Sequence, residues 1–140
     1  MPITIKITKL KKKEGDILMK RISVLLVEDN QLVRKMSVLI LEQLECEVQA
    51  VENGKLALEY AEKKTYDIIF MDIGLPDING LMVIDQIRKK GKMNSKTAII
   101  ALTAHSDMKY QYESYKMGAT DFFVKPLMIE KEILRKYISS

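Results

Sequence analysis

The stretch IIFMDIGLPDINGLMV, residues 68–83, opens with four apolar residues and then meets a carboxylate, Asp72. An unbroken apolar run suits a strand covered on both faces. Such a strand has no use for a charge in its interior, so Asp72 reads as its end. Gly74, Pro76 and Gly80 follow at once and turn the chain. Gly80 is expected to need a positive φ. From residue 80 to 90 the apolar spacing becomes helical.

The same alternation extends in both directions. Strand-like runs stand at 21–28 (RISVLLVE), 47–51 (EVQAV), 66–72 (YDIIFMD), 97–103 (TAIIALT) and 121–125 (DFFVK). Helical spacing covers 31–45, 54–64, 80–90, 107–117 and 127–138. Five repeats of strand and helix predict an α/β fold: an open, doubly wound parallel sheet of five strands with helices on both faces. In the first helix Asn30 or Asp29 can cap the N-terminus. Val33, Met36, Ser37, Ile40 and Leu44 share one stripe. Leu32 and Leu39 fall to one side of it, so they serve either edge packing or docking of another protein.

Composition narrows the class. The chain has 140 residues, 47% hydrophobic and 30% charged, ordinary for one globular domain. The N-terminus lacks a signal-peptide pattern, and no apolar run approaches the ~20 residues of a membrane span. One cysteine, Cys46, excludes an internal disulfide and fits a cytoplasmic setting. The net charge of +4 is concentrated in residues 1–21, which carry +5, against −1 for the rest. A near-neutral body argues against nucleic acid as a partner. Residues 1–20 read as a basic leader or linker, with the domain over 21–140.

In open α/β sheets, ligands bind beyond the carboxyl ends of the strands. Glu28 and Asp29 stand at the first such end, Asp72 at the third, Thr103 at the fourth, and Lys125 and Pro126 at the fifth. A single strand-end Asp is most often a helix cap or a turn residue. Three acids, a hydroxyl and an ammonium on one rim call for more. Clustered carboxylates repel by about 4 kcal/mol per pair at 4 Å and an effective dielectric near 20, and a hard divalent cation held by oxygen ligands relieves this.

With VLLVEDN (24–30), DIIFMDIGLPDINGL (67–81), IIALTAH (99–105) and GATDFFVKPL (118–127), the chain resembles a response-regulator receiver domain of two-component signalling. The resemblance covers residues 21–138. It implies a flavodoxin-like strand order 2-1-3-4-5 and a cis Lys125-Pro126 peptide. It implies Asp72 as phosphoacceptor, with Mg2+ or Mn2+ held by Asp29, Asp72 and the Gly74 backbone carbonyl, and by Glu28 through a bound water. Lys125 and Thr103 would contact the phosphoryl oxygens, and Thr103 with Phe122 would form the switch. Gly74 offers no side chain to orient an attacking water, which points to slow loss of the phosphoryl group. His105 would face the pocket mouth.

The phosphoryl source implied is a histidine kinase or a histidine phosphotransfer domain, docking on Leu32, Leu39, Pro126 and Leu127. The motifs most resemble a receiver of a hybrid sensor histidine kinase, in which the domain would be the cytoplasmic part of a membrane-bound protein. The alternative is a stand-alone response regulator acting by protein–protein contact. Such a domain catalyses its own phosphorylation and dephosphorylation without being a turnover enzyme, although a parent chain would be a kinase. The resemblance also allows a homodimer through helix 4, strand 5 and helix 5. A phosphatase with an aspartyl-phosphate intermediate would want an acid where Gly74 stands. An unphosphorylated adaptor would have no need of the five site residues, and no GxGxxG or P-loop pattern suggests a nucleotide.

Overall fold

The computed structural model describes residues 21–104 and 108–138. The basic leader and His105 lie outside the described residues. The elements run β1 (Ile22–Val27), α1 (Gln31–Gln43), β2 (Cys46–Val51), α2 (Gly54–Ala61), β3 (Ile68–Asp72), α3 (Gly80–Ile87), β4 (Ala98–Thr103), α4 (Met108–Met117), β5 (Asp121–Val124) and α5 (Lys131–Lys136). All four strand pairs are parallel, in the order β2-β1-β3-β4-β5. The sheet is the flavodoxin-like fold of the sequence expectation.

Alternation within the strands sends side chains to two cores. Leu25, Val27, Ile69, Met71, Ile99 and Ala101 pack under α2 and α3, against Ala57, Ala61, Val83, Ile84 and Ile87. Val24, Leu26, Ile68, Phe70, Ile100 and Leu102 face the other way, toward Leu41 of α1 and Leu134 of α5. This two-sided burial is why the central strands carry no charged residue before their ends. Fully burying one such Leu, Ile or Phe stabilises the fold by about 1.5–3 kcal/mol.

Three helices start on asparagine. The side-chain oxygens of Asn30, Asn53 and Asn79 accept from the Val33, Leu56 and Leu81 amides at 3.0, 2.8 and 2.8 Å, satisfying donors that have no partner inside the helix. Because Asn30 caps α1, Asp29 is left to face the rim of the sheet.

The helices differ from expectation at their C-terminal ends and in α5. α3 stops at Ile87 because Arg88 turns in, donating to the carbonyls of Gly118 (2.8 Å), Ser95 (3.1 Å) and Thr97 (2.6 Å). Residues 127–130 are not helical, since Leu127 drops into the core beside Phe70 and Leu134. On α1, Leu41 fills the inward face where Met36 was expected, and Met36 is exposed.

β5 is tied to both flanking helices through Asp121. Its carboxylate accepts from the Tyr115 hydroxyl of α4 at 2.9 Å, from the Tyr137 hydroxyl just past α5, and from the Phe122 amide at 2.8 Å. Burial works against the charge, but these bonds outweigh it and hold the Asp121 pKa below the usual carboxylate range. A folded-state pKa below the unfolded one adds stability that is present above the unfolded pKa. That stability is lost as pH falls through the folded value. Asp121→Asn should therefore cost about 1 kcal/mol at neutral pH, discounted for partial exposure. In urea unfolding the gap to wild type should close as the solution is acidified, and a constant gap would refute the assignment.

Candidate functional site

The parallel register brings the carboxyl ends of the strands level. Val27 pairs with Met71, Asp72 with Leu102, and Thr103 with Val124. The residues that follow, or end, these strands meet on one rim: Glu28 and Asp29 after β1, Asp72 on β3, Thr103 on β4 and Lys125 after β5. They line, or lie beside, a cavity of about 390 Å3 whose wall includes Asp29, Asp72, Gly74, Thr103 and Lys125. Glu28, Asp72 and Thr103 are buried, while Asp29 is exposed.

The electrostatics are those of a charge-poor core opened at one point. Lys125 Nζ lies 2.9 Å from Glu28 Oε1 and 3.0 Å from Asp72 Oδ2. Burial alone would lower the Lys125 pKa, but the bonds and charges of the two acids outweigh it and raise it. Burial pushes the Glu28 pKa up and the Asp72 charge adds to this, against hydrogen bonds from Lys125 and the Asn30 amide. Asp72 Oδ2 is buried, and the Lys125 ammonium is the charge beside it.

Carboxylate oxygens of Glu28, Asp29 and Asp72 lie within 4.8 Å of one another. Within this cluster, one ammonium against three acids leaves a formal charge of −2. An all-oxygen donor set with more negative charge than Lys125 alone balances matches what a hard divalent cation requires. The residues present therefore fit the metal that the sequence implies.

Other residues hold these groups in place. The Gly74 amide donates to Asp72 Oδ1 at 2.9 Å, which sets the rotation of the carboxylate. Arg34 Nη1 donates to the carbonyls of Glu28 and Asp29, at 2.9 and 3.2 Å, and so fixes the β1–α1 turn. Sequence reading passed over Arg34, though a signal was present: a cation near a helix N-terminus opposes the dipole there and needs another reason to be present.

Several expected roles are placed differently. Gly80 has no positive φ; among the described glycines only Gly91 and Gly118 do. Gly80 is needed because a Cβ there would lie 2.2 Å from the Asp72 carbonyl oxygen and 2.5 Å from Ile73 Cα. Leu127 is 3% exposed and is a core residue, unable to serve a docking patch. Leu32 and Leu39, at 67% and 61%, are open to solvent, as are Pro126 and the neighbouring Met128. Phe122 is half-buried against the core under α2 and α3. The Lys125-Pro126 peptide is cis.

The sequence profile of the response regulator receiver domain matches residues 24–138. The chain belongs to the receiver domain family. Response regulator ArlR of Staphylococcus saprophyticus is 40% identical over 112 residues, 80% of this chain and 49% of ArlR. Transcriptional regulatory protein SrrA of Staphylococcus aureus is 31% identical over 80% of this chain and 45% of SrrA. The receiver thus spans about half the length of these relatives. Among solved structures, chemotaxis response regulator CheY4 of Vibrio cholerae superposes with a TM-score of 0.73 at 29% identity, over 84% of this chain and 95% of that one. The receiver domain of a sensor histidine kinase from Pseudomonas aeruginosa has a magnesium ion coordinated in its active site cleft. It is 30% identical, with a TM-score of 0.72 over 84% and 93% of the two chains. No helix among the described residues of this receiver is long and apolar enough to cross a membrane.

Proposed function

We propose that this receiver accepts a phosphoryl group on Asp72 from a phosphohistidine, with Mg2+ in the acidic pocket. The observation that carries this is the cluster of Glu28, Asp29 and Asp72 oxygens, with Lys125 paired to Glu28 and Asp72. Asp29, Asp72 and the Gly74 carbonyl would hold the cation, with Glu28 acting through a bound water; the cation supplies positive charge toward the phosphoryl oxygens. An Asp72 carboxylate oxygen attacks phosphorus, the N–P bond breaks, and the histidine leaves with its nitrogen electron pair. Lys125 neutralises charge on the transferring group, and the Thr103 hydroxyl donates to one of its oxygens. Thr103 and Phe122 carry the switch to the partner surface.

Incubation with acetyl phosphate and Mg2+ should add one phosphate by intact mass, and Asp72→Asn should add none. With Gly74 providing no side chain to orient water, the added mass should persist for minutes after the donor is removed. Absence of phosphate on the wild type, or equal labelling of Asp72→Asn, would refute the reading.

The donor we propose is a histidine phosphotransfer domain or kinase helix pair seated on α1. Leu32, Met36 and Leu39 are exposed along that helix, and Pro126 and Met128 are exposed past β5. Between the two elements runs a groove of about 500 Å3 lined by Ile40, Phe123, Met128 and Ile133. Leu32→Asp should slow transfer from a phosphohistidine donor about tenfold, as expected for an interface hot spot, while labelling by acetyl phosphate is unchanged. Equal loss with both donors would sink the docking role. Membership of a hybrid-kinase phosphorelay is supported by likeness to the Pseudomonas kinase receiver. The second reading, a response regulator proper, is favoured by the identity to ArlR.

A further inference from the structure

Asp77 takes no part in the chemistry above, yet it is bonded across the fold. It stands in the turn between β3 and α3. Its Oδ1 accepts the Gly54 amide at 2.8 Å and its Oδ2 accepts the Lys55 amide at 2.9 Å. These are the first two amides of α2, which have no acceptor within their own helix. The helix N-terminus also favours the carboxylate charge. The bonds, that from Gly54 foremost, hold the Asp77 pKa low.

The contact is close. A Cβ on Gly54 would lie 3.0 Å from Val83 Cγ2 and 3.1 Å from Ile78 Cβ, so a residue without a side chain lets the turn seat itself on α2. The turn is also pinned at its ends, where the Ile73 amide donates to the Leu102 carbonyl at 3.0 Å and the Gly80 amide to the Ile73 carbonyl at 3.2 Å. Between these ends stands Gly74, whose amide orients Asp72. Gly74 is exposed, and a Cβ there would meet only Asp72 Oδ1, at 3.6 Å. Leu75 and Ile78 of the turn pack against the core under α2 and α3, but no side chain packs at Gly74 itself.

We propose that Asp77 is a positioning residue for the metal and acceptor site. By anchoring the β3–α3 turn on α2, it fixes the Gly74 carbonyl for the cation and the Gly74 amide for Asp72. The inference rests on the metal reading given under Proposed function.

The test uses Mn2+ as a paramagnetic probe, with binding followed by electron paramagnetic resonance in the absence of any phosphodonor. Exchange of the Gly74 amide is followed by NMR in the metal-free protein. Asp77→Ala should weaken Mn2+ binding about tenfold, the lower end of what outer-shell partners of metal sites contribute, and should speed Gly74 exchange. Asp77→Asn, which keeps one acceptor oxygen, should fall between, and it carries the test if Asp77→Ala does not fold. Lys55→Ala, which keeps the backbone donor, should match wild type. A variant with lower melting temperature but wild-type Mn2+ affinity and Gly74 exchange would make Asp77 a helix cap alone and overturn the proposal. A wild-type chain that does not bind Mn2+ would instead overturn the metal reading, and Gly74 exchange would then decide the anchor by itself.

Discussion

Gly80→Ala should lower the melting temperature by about 10 °C or more, a loss of at least about 3 kcal/mol. The three atoms that a new Cβ would meet first are Asp72 O at 2.2 Å, Ile73 Cα at 2.5 Å and Asp72 C at 3.0 Å. All three are backbone, so no rotamer change relieves the clash. The residue stands at the start of α3, where alanine is otherwise a better helix former than glycine by about 1 kcal/mol. Propensity therefore predicts stabilisation and packing predicts the reverse; the distances show packing to be the larger effect. Relief requires α3 to slide away from β3 or the Asp72 carbonyl itself to move. Thermal unfolding followed by circular dichroism measures the loss, and a variant as stable as wild type would mean that α3 is not seated as described.

Lys125→Ala should slow labelling by acetyl phosphate about 100-fold or more, the usual consequence of removing one preorganised charge from a phosphoryl or oxyanion site. Lys125 is the cation that bonds both Glu28 and Asp72, and the two acids keep it charged. Without it, the two buried carboxylates would lose the ammonium that offsets their charge toward an incoming phosphate. Initial rates of phosphate incorporation by intact mass, at saturating Mg2+, give the factor. Lys125→Arg should recover part of the rate, since charge remains while the planar fork does not fit the ammonium's place. A rate for Lys125→Ala within a few-fold of wild type would remove Lys125 from the site.

Most of this site could be read before any coordinates, and the reason is physical. Parallel strands buried on both faces tolerate no charge until they end, so Glu28, Asp29, Asp72 and Lys125 announce the rim by where the apolar runs stop. Strand order and the cis peptide came only through resemblance, because apolar periodicity is indifferent to which strands are neighbours. What could not be read was tertiary. Nothing local tells that Gly80 meets a carbonyl when a positive φ would explain it equally well. Leu127 and Met128 are adjacent apolar residues, and only the seat beside Phe70 decides that the first is core and the second surface. Asp77 looks like any turn aspartate, since its partners Gly54 and Lys55 are more than twenty residues away. Leu41 displaced Met36 from the inward face of α1 for a similar reason: the 3.6-residue stripe is wide enough to be drawn through either.

The rim is assembled from both ends of the domain. Glu28 comes directly after the first strand and Lys125 directly after the last, and they touch at 2.9 Å. A chain emerging from the ribosome holds Asp72, the acceptor we propose, long before it holds Lys125. On that reading the site is complete only once the fifth strand lies beside the fourth, and a chain without that strand has the proposed acceptor but not its ammonium.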